Sequence, residues 1–434
     1  MKQVASSNGS KAPTGAAGVT LSTPHDAEAK FRIGDAMRRW CFQSLGSRLR
    51  AVILTGSLAR SEATWRETEL GLQFLSDAEF MIIVQDREEI PSSELLTLIC
   101  RGAEEELRTQ GVLCKISSGA VYESYLSGLG ETIFGHELLT CGEVLYGDPD
   151  ILLSKTRNEC CVSAEDAWRL LANRTIELLE IASELVDGTV PLSQQAQYRL
   201  TKLYCDMATS ILALKREFVA GYQVRLEKLR HLHGRGALRD LPIDVDTFVS
   251  LVGRCTEYKI THSWNGVSPF VGGEAAREAV SVLLALWSWE LEQMHGAATA
   301  SPGISLRLRM KKQKLKDRVR GWAFVVRRRG LLDSLQNSGR WLRLLRLASP
   351  RYCVYAAGLE FWSNLGESRS SFKFQDVEGT KLSVAQLESG NSKLEAARDW
   401  LPIANPSADS TSSMKGLVEA ILWNYHEFLL ETRS

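Results

Sequence analysis

Two short apolar runs stand out early in the chain, Leu49 to Thr55 (LRAVILT) and Phe80 to Val84 (FMIIV). Both lack helical periodicity and are rich in β-branched residues, which predicts buried strands. Ahead of the first, Thr23-Pro24-His25-Asp26 offers an N-cap, a proline at the first helical position and an acid in the first turn, so a helix is expected to about Leu45. Pro91-Ser92-Ser93 opens another helix that ends near Gly111, whose missing side chain suits a left-handed C-cap. VLCKIS, from Val112, predicts a third strand. Helix, strand, turn-helix, strand, helix and strand together describe a small α/β unit closing near GEVLYGDPDIL, Gly142 to Leu152.

The pattern then turns helical. Ser163 with Asp166 forms a capping-box pattern for a helix to about Asp187. Leu200, Leu203, Met207, Ile211, Leu214 and Phe218 recur at steps of three and four, one apolar stripe of an amphipathic helix, with Lys202 and Asp206 off the stripe. Further helices are expected over Glu274 to His295 and Met414 to Thr432, and Pro402 to Ser413 has linker composition. The expected division is a disordered tail over 1–24, an α/β domain over 25–155, a helical domain over 160–300, a basic helical segment over 303–351, a linker over 402–413 and a last helix over 414–434; no assignment is made for 352–401.

Composition narrows the class. With 434 residues the chain exceeds one ordinary core, and its apolar and charged fractions exclude wholesale disorder and fibrous architecture. Nine cysteines, without CxxC spacing, point to reduced thiols in a cytoplasmic protein and away from a zinc site. His231-Leu232-His233 has no further ligand at zinc spacing and reads as loop. The N-terminal stretch lacks the apolar core of a secretory signal. AVSVLLALWSW, Ala279 to Trp289, is about half the length of a membrane-crossing helix, so a buried helix is expected and no transmembrane segment.

The candidate chemistry sits between the first two strands. Gly56-Ser57 follows the first, and Ser76-Asp77-Ala78-Glu79 opens the second. Alternation along a strand places Asp77 and Glu79 on one face, where two carboxylates can share Mg²⁺, with phosphates and water completing its octahedral shell. Glycine lets the backbone approach a phosphate, Ser57 adds a hydroxyl, and helix-N-terminal N–H groups favour anions. Taken singly, each element is more often a plain turn or a solvated strand end.

In combination, GS followed by LSDAEFMIIV resembles the nucleotidyltransferase signature of the DNA polymerase β superfamily, an h-G-[GS] element followed by D-h-[DE]-h. GEVLYGDP, Asn173-Arg174 and YRLTKLYCDMATSILALKREF are similar to its antibiotic-nucleotidyltransferase-like branch, over roughly residues 30 to 225. The resemblance implies an α/β (α+β) nucleotidyltransferase-like domain with a mixed sheet, followed by a mostly helical domain. It implies Gly56 and Ser57 as phosphate-binding, Asp77 and Glu79 as catalytic metal ligands for Mg²⁺, and a nucleoside triphosphate whose nucleoside monophosphate moves to an unidentified acceptor with release of pyrophosphate. Lys202 could reach the β- and γ-phosphates; its competing reading is an exposed i,i+4 partner of Asp206. Two departures accompany the likeness. Ser57 and Asp77 are twenty positions apart, which makes RETELGLQF an expected insertion at the site's rim. The family's third carboxylate, expected on the next strand, has no counterpart in VLCKISS, leaving Glu123 as the nearest downstream candidate or as a plain surface glutamate. That gap leaves open a catalytically inactive regulator or binding protein of the same fold.

Charge is unevenly spread. From Arg307 to Arg351 fifteen Lys and Arg face only Asp317 and Asp333, so the segment carries +13 and the remainder of this neutral chain −13. Interleaved Trp322, Phe324, Val325, Trp341, Leu344 and Leu345 suit either a polyanion or anionic membrane surface, or docking on the chain's own acidic body. Docking is favoured, because so many apolar residues would otherwise be exposed.

Overall fold

The computed structural model describes residues 24–129, 131–153, 162–187, 191–260, 268–270, 272–295, 302–336, 338–370, 396–403 and 414–429. They divide into two units. One holds the described residues up to Ala63, Glu67–Glu123 and Cys141–Ile151; the other holds Thr64–Arg66, Ser124–Thr140 and the described residues from Leu152 onward. The chain is thus an α/β unit on a mixed sheet, followed in sequence by a mostly helical one. The tail expected over 1–24 lies outside the described residues apart from Pro24, as does the linker over 402–413 apart from Pro402 and Ile403.

In the first unit, helix α1 (Pro24–Leu45) precedes β1 (Leu49–Thr55). A one-turn helix α2 (Gly56–Ala59) leads to β2 (Trp65–Thr68), whose first two residues group with the other unit, and to β3 (Gly71–Phe74) and β4 (Ala78–Val84). Helix α3 (Ser93–Thr109) follows, then β5 (Val112–Leu113) and β6 (Ile116–Tyr122). Helix α4 (Ile133–Cys141) belongs to the helical unit, and β7 (Glu143–Tyr146) completes the main sheet. That sheet runs β6-β4-β1-β7, with β4 and β6 parallel and the other two pairs antiparallel. The central strands show why the two apolar runs predict burial so well: five consecutive residues at the ends of both β1 and β4 are buried, as expected for strands covered on both faces.

The structure divides the expected third strand. Val112–Leu113 joins the small sheet β2-β3-β5, whereas Ile116–Tyr122 joins the main one. The stretch read as an insertion supplies β2 and β3 of that small sheet. Gly71 is required there: at φ +112 it lies so close to the residue preceding β5 that an added Cβ would stand 2.0 Å from the Gly111 carbonyl oxygen.

The helical unit consists of α5 (Ala164–Glu177), α6 (Ala182–Asp187), α7 (Gln194–Leu214), α8 (Tyr222–Gly234), α9 (Val245–Ile260), α10 (Gly273–His295), α11 (Pro302–Lys312), α12 (Leu315–Gln336), α13 (Ser338–Leu347), α14 (Pro350–Ser370) and α15 (Met414–Leu429), with α4 packed among them. Leu200, Leu203, Met207 and Ile211 of the expected stripe are buried on α7 as its period requires, Leu214 is half-buried at the helix end, and Phe218 lies beyond it. An aromatic cluster anchors the core, Trp168 stacking on Trp287 at 5.7 Å and meeting Tyr355 edge-on at 5.6 Å. His231-Leu232-His233 is helical rather than loop: it forms the last turns of α8, Leu232 is buried, and His233 Nε2 lies 2.9 Å from Asp246 Oδ1. Among the described residues no helix is long and apolar enough to cross a membrane, and α10 is a core helix.

One buried acid of this core titrates abnormally. Glu290 is fully buried; its Oε1 lies 2.5 Å from Ser210 Oγ and its Oε2 has no partner among the described residues. Burial pushes its carboxyl well above the ordinary range. A carboxyl raised in the folded state contributes stability below the unfolded value near 4.5, and that contribution is lost as pH climbs through the folded value. Urea unfolding at mildly acidic and mildly alkaline pH should show stability falling over this range, and Glu290→Gln should flatten the fall. An equal slope in both proteins would place the titration elsewhere.

Candidate functional site

The end of β1, the turn into α2 and the start of β4 meet at one end of the main sheet's central strands. Thr55 pairs with Glu79 across the β1–β4 ladder, and Gly56 follows in the left-handed region at φ +71. From there the chain turns into α2, whose exit is closed by Glu62 N–H donating to the Ser57 carbonyl at 2.8 Å. Arg60 Nε and Glu62 Oε2 pair at 2.9 Å, both side chains nearly buried, and brace the turn from behind. Ser57 stays half-buried.

Glu79 lies directly over Gly56. A Cβ built on Gly56 would stand 3.0 Å from Glu79 Cδ and 3.1 Å from its Oε2. The glycine and the acid therefore form one site. Asp77 and Glu79 are exposed while Ser76, Ala78 and Phe80 are buried, the alternation that puts the two carboxylates on a single face. Neither has a hydrogen bond or ion pair among the described residues. Burial pushes the neighbouring Cys114 thiol up to about 12, and the negative charge of Asp77 adds to the shift.

Gly56→Ala should cost about 1–2 kcal/mol in backbone strain alone, since an L side chain at this φ crowds its own carbonyl. It should also displace the Glu79 carboxylate. Thermal unfolding together with Mg²⁺-dependent triphosphate binding checks both, and a variant as stable and as competent as the parent would remove the coupling of glycine and acid.

The strand register decides what else stands beside the pair. In the parallel β4–β6 ladder Glu79 is level with Ser117, and Ala78 N–H donates to the Lys115 carbonyl at 2.9 Å, which sets Lys115 one step before, level with Asp77. Lys115 is exposed. A lysine and a serine thus occupy the places where a third carboxylate was expected. The alternate, Glu123, is corrected by the same ladder. It begins a 3-10 turn six residues past Ser117, at the far end of β6, roughly 20 Å away at strand rise, and pairs with Arg50 at 3.6 Å. Glu143, opposite Leu54, falls on the other face of the sheet and pairs with Lys30 at 2.5 Å. Among the described residues no group of three His, Cys, Asp or Glu converges. A pair of unpartnered acids still fits Mg²⁺, which commonly takes one or two protein carboxylates and draws its other oxygens from phosphate and water.

In the helical unit Lys202 is half-buried on α7. It is not the exposed partner of Asp206. Asp206 is buried and taken by Arg174, which also pairs with Glu177. The Arg174 guanidinium, and then burial, push the Lys202 ammonium below the usual lysine range, with Lys259 adding to the effect. Lys202 has no hydrogen bond or ion pair among the described residues. An ammonium held beside two other cations is a natural seat for an anion. Sequence pattern signals neither Arg174 nor Lys259 as its neighbours, because they come from α5 and α9.

No family model matches this chain, and no curated protein matches it. Among solved structures it is similar to the spectinomycin adenyltransferase of Enterococcus faecialis, a structure with ATP and spectinomycin, at 11% identity over 52% of this chain and 99% of that one, with a TM-score of 0.27. A likeness of that size defines no activity for this chain, whose site is read from its own residues.

Proposed function

We propose that the chain is a Mg²⁺-dependent nucleotidyltransferase, moving a nucleoside monophosphate from a nucleoside triphosphate to an acceptor hydroxyl. The observation that carries this reading is the Glu79 carboxylate seated over Gly56, with Asp77 beside it and neither acid partnered among the described residues. Asp77 and Glu79 would hold the ion, which when bound neutralises phosphate charge. The Gly56 turn brings backbone and the Ser57 hydroxyl to the phosphates without an intervening side chain. Within the helical unit, Lys202 is a candidate anion ligand, its ammonium without a hydrogen bond or ion pair among the described residues. In the transfer the acceptor oxygen bonds to the α-phosphorus, the bond to pyrophosphate breaks, and the acceptor proton leaves to solvent or to a phosphate oxygen. The register supports this, with Ser117 and Lys115 rather than a third carboxylate flanking the acids.

The test is incubation of the purified chain with each α-labelled nucleoside triphosphate, Mg²⁺ and a cell extract, followed by identification of the labelled product. Label on an acceptor supports transfer. Mg²⁺-dependent triphosphate binding without any labelled product would instead make the chain a nucleotide-binding regulator. Absence of binding would remove both.

A further inference from the structure

The basic segment divides its residues between two faces. Inward, Leu306, Met310, Trp322, Val325, Trp341 and Leu344 are buried. Trp322 Nε1 donates to the Ala348 carbonyl at 2.8 Å and Trp341 Nε1 to the Pro402 carbonyl at 2.7 Å. The expected docking is therefore real: these aromatics belong to the helical core. Several arginines are spent on it too. Arg309 pairs with Glu165, and Arg318 donates to the carbonyls of Lys311 and Gln313 at 3.0 Å and of Arg346 at 2.9 Å. One guanidinium so caps the end of α11 and the end of α13, fixing the joint between α11 and α12.

The outward face is different. On α11, Ile304, Arg307, Leu308 and Lys311 recur at i, i+3, i+4 and i+7, one stripe of the helix. On α12, Lys316, Arg320, Ala323 and Arg327 follow at i, i+4, i+7 and i+11, flanked by Leu315 and Val319. All of these residues are exposed, Leu315 by 69% and Ile304 and Val319 by 48% each. Between 303 and 327 seven exposed cations, Arg307, Lys311, Lys312, Lys314, Lys316, Arg320 and Arg327, stand against the single acid Asp317.

We propose that this face of α11 and the first half of α12 binds the surface of an anionic lipid bilayer. Charge complementarity alone would suit any polyanion. The apolar side chains decide between them: a nucleic-acid phosphate backbone offers nothing to Ile304, Leu308, Leu315 and Val319, whereas the headgroup–acyl boundary takes apolar side chains and places anionic headgroups beside the flanking lysines and arginines. The hydrogen bonds of Arg318 to the Lys311 and Gln313 carbonyls order the turn between the two helices before any binding, which lowers the ordering cost.

The full chain, mixed with sucrose-loaded vesicles of phosphatidylcholine alone or with about 30% phosphatidylserine, should sediment with the anionic vesicles at least about tenfold more tightly, and the binding should fade as salt rises. Ile304→Ser with Leu308→Ser should weaken it by about tenfold at low salt, while circular dichroism and the thermal midpoint stay unchanged, because both side chains are exposed. Lys311→Glu with Lys316→Glu should abolish it. Equal binding to neutral vesicles, or none to either, would overturn the proposal. So would tight, salt-dependent binding of duplex DNA that is indifferent to the Ile304 and Leu308 changes, which would assign the face to a nucleic acid.

Discussion

Asp77→Asn is expected to abolish Mg²⁺-dependent triphosphate binding, weakening it at least about a hundredfold, or roughly 2.8 kcal/mol. The side chain is exposed and has no partner among the described residues, so the same change should leave folding stability within about 1 kcal/mol of the parent. The contrast between the two numbers is the point. A structural carboxylate would move stability, and a metal ligand moves binding alone. Titration calorimetry with a non-hydrolysable triphosphate, with and without Mg²⁺, gives the first quantity, and urea unfolding the second. Binding that survives the substitution would return Asp77 to a strand-end acid balanced by Lys115, and with it the transferase reading would fall.

Arg174→Met is expected to have the largest effect on folding, about 3–5 kcal/mol, because it leaves Asp206 as a buried charge without its partner. Removing both, as Arg174→Met with Asp206→Leu, should recover most of that loss, since desolvating the pair already costs much of what their attraction returns. The cycle also reports on Lys202. With Arg174 gone, the main cause of its lowered proton affinity is gone too, and Lys202 stands one helical turn from Asp206 on α7. A single-variant loss below about 1 kcal/mol would show that Lys202 can take over the acid. That outcome would also count against an ammonium kept free for phosphate.

Much of the chain's local structure is legible in its pattern. The two apolar runs become β1 and β4, Leu200, Leu203, Met207 and Ile211 lie on the buried side of α7, and α1 begins at Pro24 as expected. The shared face of Asp77 and Glu79 follows from the period of a strand and needs no tertiary information. These features depend on the pitch of one segment, so the order of residues determines them. The third strand shows where this ends: VLCKIS carries one apolar pattern, yet its halves join different sheets, because the choice of partner strand lies outside the segment.

Pairing between distant segments decides the rest. Register along β4 and β6 sets Lys115 and Ser117, rather than Glu123, beside the acids. Packing of α5 against α7 gives Asp206 to Arg174 instead of Lys202, a competition that a buried guanidinium with two carboxylates in reach wins over a neighbour on the same helix. In the basic segment composition established that cations and apolar residues are interleaved, but both faces of a helix can carry them. Only docking on the core determined that Trp322 and Trp341 turn inward while Ile304, Leu308 and the lysines turn out, because burying the two indoles removes the most apolar surface and leaves their N–H groups with carbonyl partners.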